Sequence, residues 1–106
     1  MAWVILVAAG LLEVVWALLL KQSEGFTKPL PTVGFLVFMV LSMVLLSQAI
    51  KELPVGTAYA IWTGIGAAGT AILGMVFLGE SREILKLLSL VMLIAGIVGL
   101  KLSSGN

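Results

Sequence analysis

Four long apolar runs, separated by short polar segments, set what this chain can fold into. The runs cover about residues 2–20, 31–50, 54–78 and 84–102, and the mean hydropathy of the chain is +1.25. An α-helix needs about 20 apolar residues to cross the hydrocarbon layer of a bilayer. The runs also lack the alternation of apolar and polar residues that a transmembrane β-strand requires. The sequence therefore predicts a single all-α integral membrane domain over residues 1–106, with four transmembrane helices.

The connections between the runs are too short to carry a domain of their own. They read KQSEGFTKPLP, KELP and GESR, and their Gly, Pro and Ser residues are typical of breaks between helices. Cysteine and histidine are absent from the sequence, which excludes disulfides, zinc clusters and imidazole catalysis. A net charge of +1 gives no footprint for nucleic acid. We therefore expect no enzyme, no cofactor and no metal site.

The distribution of Lys and Arg residues only weakly predicts which ends of the helices face the cytoplasm. One side of the membrane would carry four basic residues and the other side two, namely Lys21, Lys28, Arg82 and Lys86 against Lys51 and Lys101. The side richer in Lys and Arg is normally cytoplasmic. This bias favours cytoplasmic first and third connections, but it is small enough to permit insertion in both orientations.

One charged residue lies far from the ends of its apolar run. Glu13 is about 18 Å along a helix that rises about 1.5 Å per residue, near the middle of a hydrocarbon layer of about 30 Å. An acidic group at that depth costs about 2.5–3.5 kcal/mol to insert and is by default a functional residue. A carboxyl group there can hold either a proton or a cation, which predicts exchange of one for the other. The alternative is a protonated carboxyl that only joins neighbouring helices.

Small and aromatic residues surround Glu13 on the predicted helices. Gly10 and Trp16 share its face of the first helix, where the indole offers an N–H donor and a cation–π surface. Ser42 lies near mid-depth in the second helix, where its hydroxyl either orients the carboxylate or bonds to its own helix. Met39 and Met43 beside it either line a lateral opening or simply pack.

The third helix carries a stripe of aromatic and hydroxyl groups, including Tyr59, Trp62 and Thr63. A phenol and an indole inside a membrane need hydrogen-bond partners, and Glu13 is the obvious acceptor. Gly64 and Gly66 weaken the helix and are a candidate hinge, although close helix packing also explains them.

The fourth helix has no ionisable residue at mid-depth. Its stripe of Ser89, Met92, Leu93 and Gly96 predicts a surface for packing against a second chain. Lys101 lies close to the helix end, where its long side chain can simply reach the interface, so its role stays open.

The motifs resemble those of the small multidrug resistance family of four-helix transporters. Gly10-x-x-Glu13 and, above all, PVGTAYAIWTGIGA at Pro54–Ala67 carry this resemblance, which covers the whole chain. Several further residues resemble the guanidinium-exporter branch, namely Trp16, Lys21, Ser42, Gly56, Thr57, Thr63 and Lys101. One departure is Ser89, which stands where the family commonly has glycine.

The resemblance implies an antiparallel, dual-topology homodimer in a bacterial plasma membrane. Such a dimer would exchange protons for guanidinium ion, and for small substituted guanidinyl compounds, at Glu13 of both subunits. The family pattern implies that Trp16, Ser42 and Trp62 orient the carboxylates and that Tyr59 bridges the dimer.

Two other functions remain open on the sequence. A multidrug exporter of quaternary ammonium and other lipophilic cations would use the same Glu13 but would rely on apolar contact. A membrane scaffold that does not transport would use Glu13 only to join helices, and it predicts no pH-dependent cation binding.

Overall fold

The computed structural model describes residues 1–103, and within them the chain forms four α-helices. These are α1 (Ala2–Gln22), α2 (Pro29–Ala49), α3 (Val55–Phe77) and α4 (Ile84–Ser103). Each is long and apolar enough to cross a bilayer, so the four predicted helices are confirmed. Their ends differ from the predicted ends by two residues at most. The earlier start of α2 places Pro29 in the first turn, where a missing N–H costs no hydrogen bond.

The helices form a flat arrangement in which α1 is central. It packs against both α2 and α3, whereas α2 and α3 scarcely contact each other and the backbone of α4 approaches only α3. The protomer measures 43 × 35 × 17 Å. Packed helix axes lie about 8–10 Å apart, so the thinnest dimension holds at most two layers of helices. Two packed layers leave no central space that encloses a pathway.

Glycines bring α1 and α3 into close contact. A Cβ atom at Gly10 would lie 2.8 Å from the Cβ and Cγ2 atoms of Ile65, and one at Gly69 would strike Val14. Side chains at these positions would force the helices apart. Small residues are the usual means by which membrane helices approach each other, because lipid supplies no hydrophobic force between them.

The buried core lies at the end of the bundle where the chain begins, which we call the packed end. Leu6 and Ala49 are completely buried there. The core cluster consists of Ala2, Leu6, Ala9, Leu46, Ala49, Leu53, Ala58, Ile61 and Trp62. It joins the first half of α1 to the second half of α2 and the first half of α3.

The opposite end holds the α1–α2 and α3–α4 connections and is called the cleft end. In the first connection, the buried Ser23 hydroxyl donates to the Leu20 carbonyl (2.6 Å) and accepts from the Phe26 N–H (3.2 Å). Gly25 has a φ of +73°, which a glycine adopts without strain. In the second connection, the Arg82 guanidinium donates to the Met75 carbonyl (3.0 Å) near the end of α3. Hydrogen bonds thus hold each of these two connections against the end of the helix that precedes it.

The fourth helix is peripheral to the protomer. None of its described residues is buried. Leu93 and Ile97 lie against α3 at Gly64, where a Cβ atom would meet the Ile97 Cδ1 atom at 2.9 Å. Met92 and Gly96 face away from α3, and Met92 is 73% exposed. Leu93 is half-buried against α3 within the protomer, and its packing against a second chain stays a prediction.

Candidate functional site

Glu13 lies near the middle of α1 with its carboxyl group directly against Gly66 of α3. A Cβ atom at position 66 would collide with that carboxyl group, so the glycine provides the space that Glu13 occupies. The Oε1 atom is buried and accepts no hydrogen bond from any residue that the structure describes. A buried acceptor without a donor is costly in a medium of low dielectric constant. The carboxyl group is thus available to a cation or a proton.

Trp16 lies one turn along α1 from Glu13. Its ring meets Phe35 of α2 edge to face, with 5.6 Å between ring centroids and 73° between planes. Its buried Nε1–H has no acceptor among residues 1–103. The site therefore places an unused donor and an unused acceptor one helical turn apart.

A second set of polar groups braces the backbone turn that precedes Glu13. The Trp62 Nε1–H donates to the Ser42 hydroxyl (2.9 Å), and that hydroxyl donates to the Ala9 carbonyl (2.7 Å). In an α-helix the Ala9 carbonyl is also the partner of the Glu13 N–H. The chain of bonds from α3 through α2 to α1 thus ends at the turn that carries the carboxylate.

This network differs from the hydrogen bonds expected from the sequence. Within the protomer, Trp62 donates to Ser42 rather than to Glu13. The Ser42 hydroxyl bonds neither to the carboxylate nor to its own helix, but to a carbonyl of α1. The reason is the register of the α1–α2 pair, which sets Ser42 opposite Ala9, one turn away from Glu13.

Other predicted site residues lie on the surface of the protomer. Tyr59 is 56% exposed, and its ring lies 5.5 Å from that of Trp62. Thr63, one turn before Gly66, is exposed. On α2, Met39 is half-buried and Met43 is exposed. Contacts within the protomer therefore leave Tyr59, Thr63 and Met43 facing outwards.

The candidate hinge residues both lie in tight helix contacts. The helix α3 continues without a break through Gly64 and Gly66, which pack against Ile97 and Glu13 respectively. Flexing there stays a prediction. The Nζ atom of Lys101 lies 5.0 Å from the centre of the Trp3 ring, a cation–π contact that joins the last turn of α4 to the first turn of α1.

One residue that supports the site, Phe35, is not among those proposed from the sequence, and its ring packs against that of Trp16. Phe35 and Trp16 are equally far along the chain from the centre of the α1–α2 connection. Since α1 and α2 are antiparallel, this spacing predicts that the two rings lie side by side. Thr70 belongs to the stripe of aromatic and hydroxyl groups on α3, and its buried hydroxyl has no partner within residues 1–103. Thr70 follows Gly66 by one turn on the same face of α3.

The sequence matches the family described as Small Multidrug Resistance protein over residues 1–105. Curated relatives cover nearly all of the chain. The Guanidinium exporter of Yersinia pestis is 61% identical over 104 residues, which are 98% of this chain and 100% of that protein. The proteins of the same name from Salmonella typhimurium (strain LT2) and Escherichia coli (strain K12) are 60% and 58% identical, and each match covers 98% of this chain and 99% of the relative.

Proposed function

The chain belongs to the small multidrug resistance family, and from this premise we propose that it exports guanidinium ion in exchange for protons at Glu13. It is a multi-pass membrane protein, and its curated relatives are named exporters, so its function is transport rather than catalysis. The single observation that carries the proposal is the buried Oε1 atom of Glu13, which lacks a donor within residues 1–103.

Guanidinium fits the chemistry of this carboxylate. It is a planar cation with N–H groups that pair with carboxylate oxygens through charge-assisted hydrogen bonds. The indole of Trp16, one turn away, adds a cation–π surface. Bulky quaternary ammonium ions have no N–H to donate, so an unpaired carboxylate oxygen favours guanidinium over them.

Protons and guanidinium compete for the carboxylate oxygens of Glu13, and this competition couples the transport of one to the transport of the other. A protonated Glu13 has lost the charge that binds guanidinium, and a carboxylate that holds guanidinium has no room for a proton. Binding of the cation on one side of the membrane thus follows proton release to that side. The transporter then carries either a proton or guanidinium in each crossing but not both, and the result is antiport.

The transport unit that we propose is an antiparallel homodimer. A protomer 17 Å thick cannot enclose a path, and a second copy would place two Glu13 residues near one midplane site. The small Lys and Arg bias permits the two copies to insert oppositely. Inward-open and outward-open forms are then the same structure viewed from opposite sides.

The outward-facing residues of the protomer suit this dimer. Exposed Tyr59 would bridge to the partner, while Ser89, Met92 and Gly96 on the outer face of α4 would pack against it. Met39 and Met43 would line a lateral opening, and flexing at Gly64 and Gly66 would switch access. Trp16, Ser42 and Trp62 would hold the two carboxylates in place.

The proposal is tested by replacing Glu13 in the full-length protein. Glu13→Gln keeps the side-chain shape but removes the titratable group, so proton-coupled guanidinium uptake into proteoliposomes should be abolished. Glu52→Gln, in the exposed α2–α3 connection, is the matched control and should transport normally. In the wild type, guanidinium should bind more tightly as the pH rises, because fewer protons compete.

Two results would contradict the proposal. Coupled uptake by a folded Glu13→Gln dimer would remove Glu13 from the mechanism. A bulky quaternary ammonium ion that drives larger currents than guanidinium on a solid-supported membrane would favour the multidrug alternative. Should Glu13→Gln fail to fold, Glu13→Asp keeps a carboxylate and should retain coupled transport with a shifted pH dependence.

A further inference from the structure

A cleft of about 620 Å³ opens at the cleft end, away from Glu13. It is lined by the end of α1, the start of α2 and the end of α3. Ligand sites typically measure about 300–1,000 Å³, so the volume suits a lipid headgroup with the upper part of one acyl chain.

The lining of the cleft changes from apolar to polar along the helices. Leu18 lies one turn deeper in the bilayer than Lys21 on α1, and Leu73 lies one turn deeper than Phe77 on α3. The outer rim carries Lys21 and Lys28 at the ends of their helices. This order, with apolar side chains inside and basic groups at the interface, is the polarity of a phospholipid that lies beside the protein.

The charges of the rim favour one anionic headgroup. Lys28 forms an ion pair with Glu24 (3.4 Å), and both side chains are more than half exposed. Lys21 has no acidic partner within residues 1–103, so Lys21, Lys28 and Glu24 together leave one positive charge.

The cleft also faces the surroundings rather than another part of the chain. Phe77 is 75% exposed and Leu78 is 43% exposed on its α3 wall. Since the helices span a bilayer, lipid molecules can enter the cleft from the surrounding leaflet.

We propose that this cleft binds one anionic phospholipid per protomer. Its phosphodiester lies at Lys21 and Lys28, and an acyl chain follows Leu18, Leu73 and Phe77 towards the bilayer centre. The site requires only the membrane location of the chain, so it stands or falls separately from guanidinium transport.

Native mass spectrometry of the full-length protein, released from nanodiscs, tests the proposal. Nanodiscs that contain equal phosphatidylglycerol and phosphatidylcholine should give a protein that retains phosphatidylglycerol preferentially. Lys21→Gln should lower that retention about fivefold, as expected for one basic residue at an anionic surface. Lys51→Gln removes the same charge at the other end of the bundle and is the matched control, so it should change nothing.

A second variant separates the contribution of the shape of the cleft to lipid binding from the contribution of its charge. Leu73→Trp fills the apolar part of the cleft without altering its charge, and it should reduce retention of the lipid. Inorganic phosphate, added at millimolar concentration, should not displace the lipid. Glu13→Gln should retain the lipid, which keeps this test independent of the transport mechanism.

Three results would overturn the proposal. One is equal retention of the two lipids by the wild type, and another is equal retention of phosphatidylglycerol by the wild type and Lys21→Gln. The third is displacement by inorganic phosphate, which would indicate a site for a free anion instead of a lipid.

Discussion

At the packed end Leu6, Ala9 and Ala49 are fully buried, whereas at the cleft end α1, α2 and α3 line an opening of about 620 Å³. Glu13 lies between these two regions. The packed end fixes α1 through close side-chain contacts and the Trp62–Ser42–Ala9 bonds. The cleft end has ring contacts such as Trp16–Phe35, but its connections are held by loop hydrogen bonds and partly exposed ion pairs, which contribute less. The protomer is thus more closely packed on one side of its carboxylate than on the other.

Removing a core side chain from the packed end should have the largest effect on stability. Leu6→Ala leaves a cavity where the side chain was fully buried, and it should lower the free energy of unfolding by about 2–5 kcal/mol. Unfolding in mixed detergent–lipid micelles measures the loss. Leu88→Ala makes the same change where the side chain is 55% exposed and should have almost no effect. Equal losses in the two variants would break the contrast between core and surface.

An added methyl group at Gly66, where α3 meets the Glu13 carboxyl group, should impair guanidinium transport more than it lowers stability. Gly66→Ala places a Cβ atom in the volume of the Glu13 carboxyl group, and overpacking of this kind costs about 1–3 kcal/mol. The displaced carboxylate should transport guanidinium poorly, as measured in proteoliposomes. Gly99→Ala has nothing within 4 Å and is the control. Normal transport by Gly66→Ala would show that the position of the carboxylate is not set by α3.

Loss of the Ser42 hydroxyl should cost about 1 kcal/mol, because the buried Trp62 N–H is left without an acceptor. Unfolding of Ser42→Ala in the same micelles measures the change. Ser89→Ala removes a hydroxyl that donates only to the Leu85 carbonyl of its own helix, so stability should stay the same. If both variants are neutral, the polar network does not brace the packed end.

The smallest effect is expected at the cleft end. Lys86→Gln breaks the ion pair with Glu80 (3.3 Å), whose partly exposed side chains should contribute less than about 1 kcal/mol. The loss should shrink further at high salt. A loss as large as that of Leu6→Ala, measured in parallel, would mean that the two ends are equally firm.

Much of this structure follows from the sequence, because a bilayer imposes simple requirements. The length of the apolar runs predicted the four helices, whose ends lie within two residues of the predicted ends, and the depth of Glu13 marked it as a candidate site residue, which stays a prediction. Which face of α4 packs within the protomer could not be predicted, because lipid and protein interior are both apolar. Leu93 and Ile97 lie against α3, whereas Leu88 and Val91 are exposed, although all four are apolar. The Ser42 hydroxyl donates to the backbone carbonyl of Ala9. Because every residue has such a carbonyl, the sequence does not show which one accepts the bond.

The peripheral position of α4 has a consequence for how such a protein can evolve. Because none of its described residues is buried, replacements on its outer face cost the protomer little stability. The helices that hold Glu13 and its supporting network make no use of that face. In the homodimer proposed above, mutations on α4 that alter which chains associate would therefore leave the proposed cation site at Glu13 unchanged, so partner choice and substrate choice would be free to diverge separately.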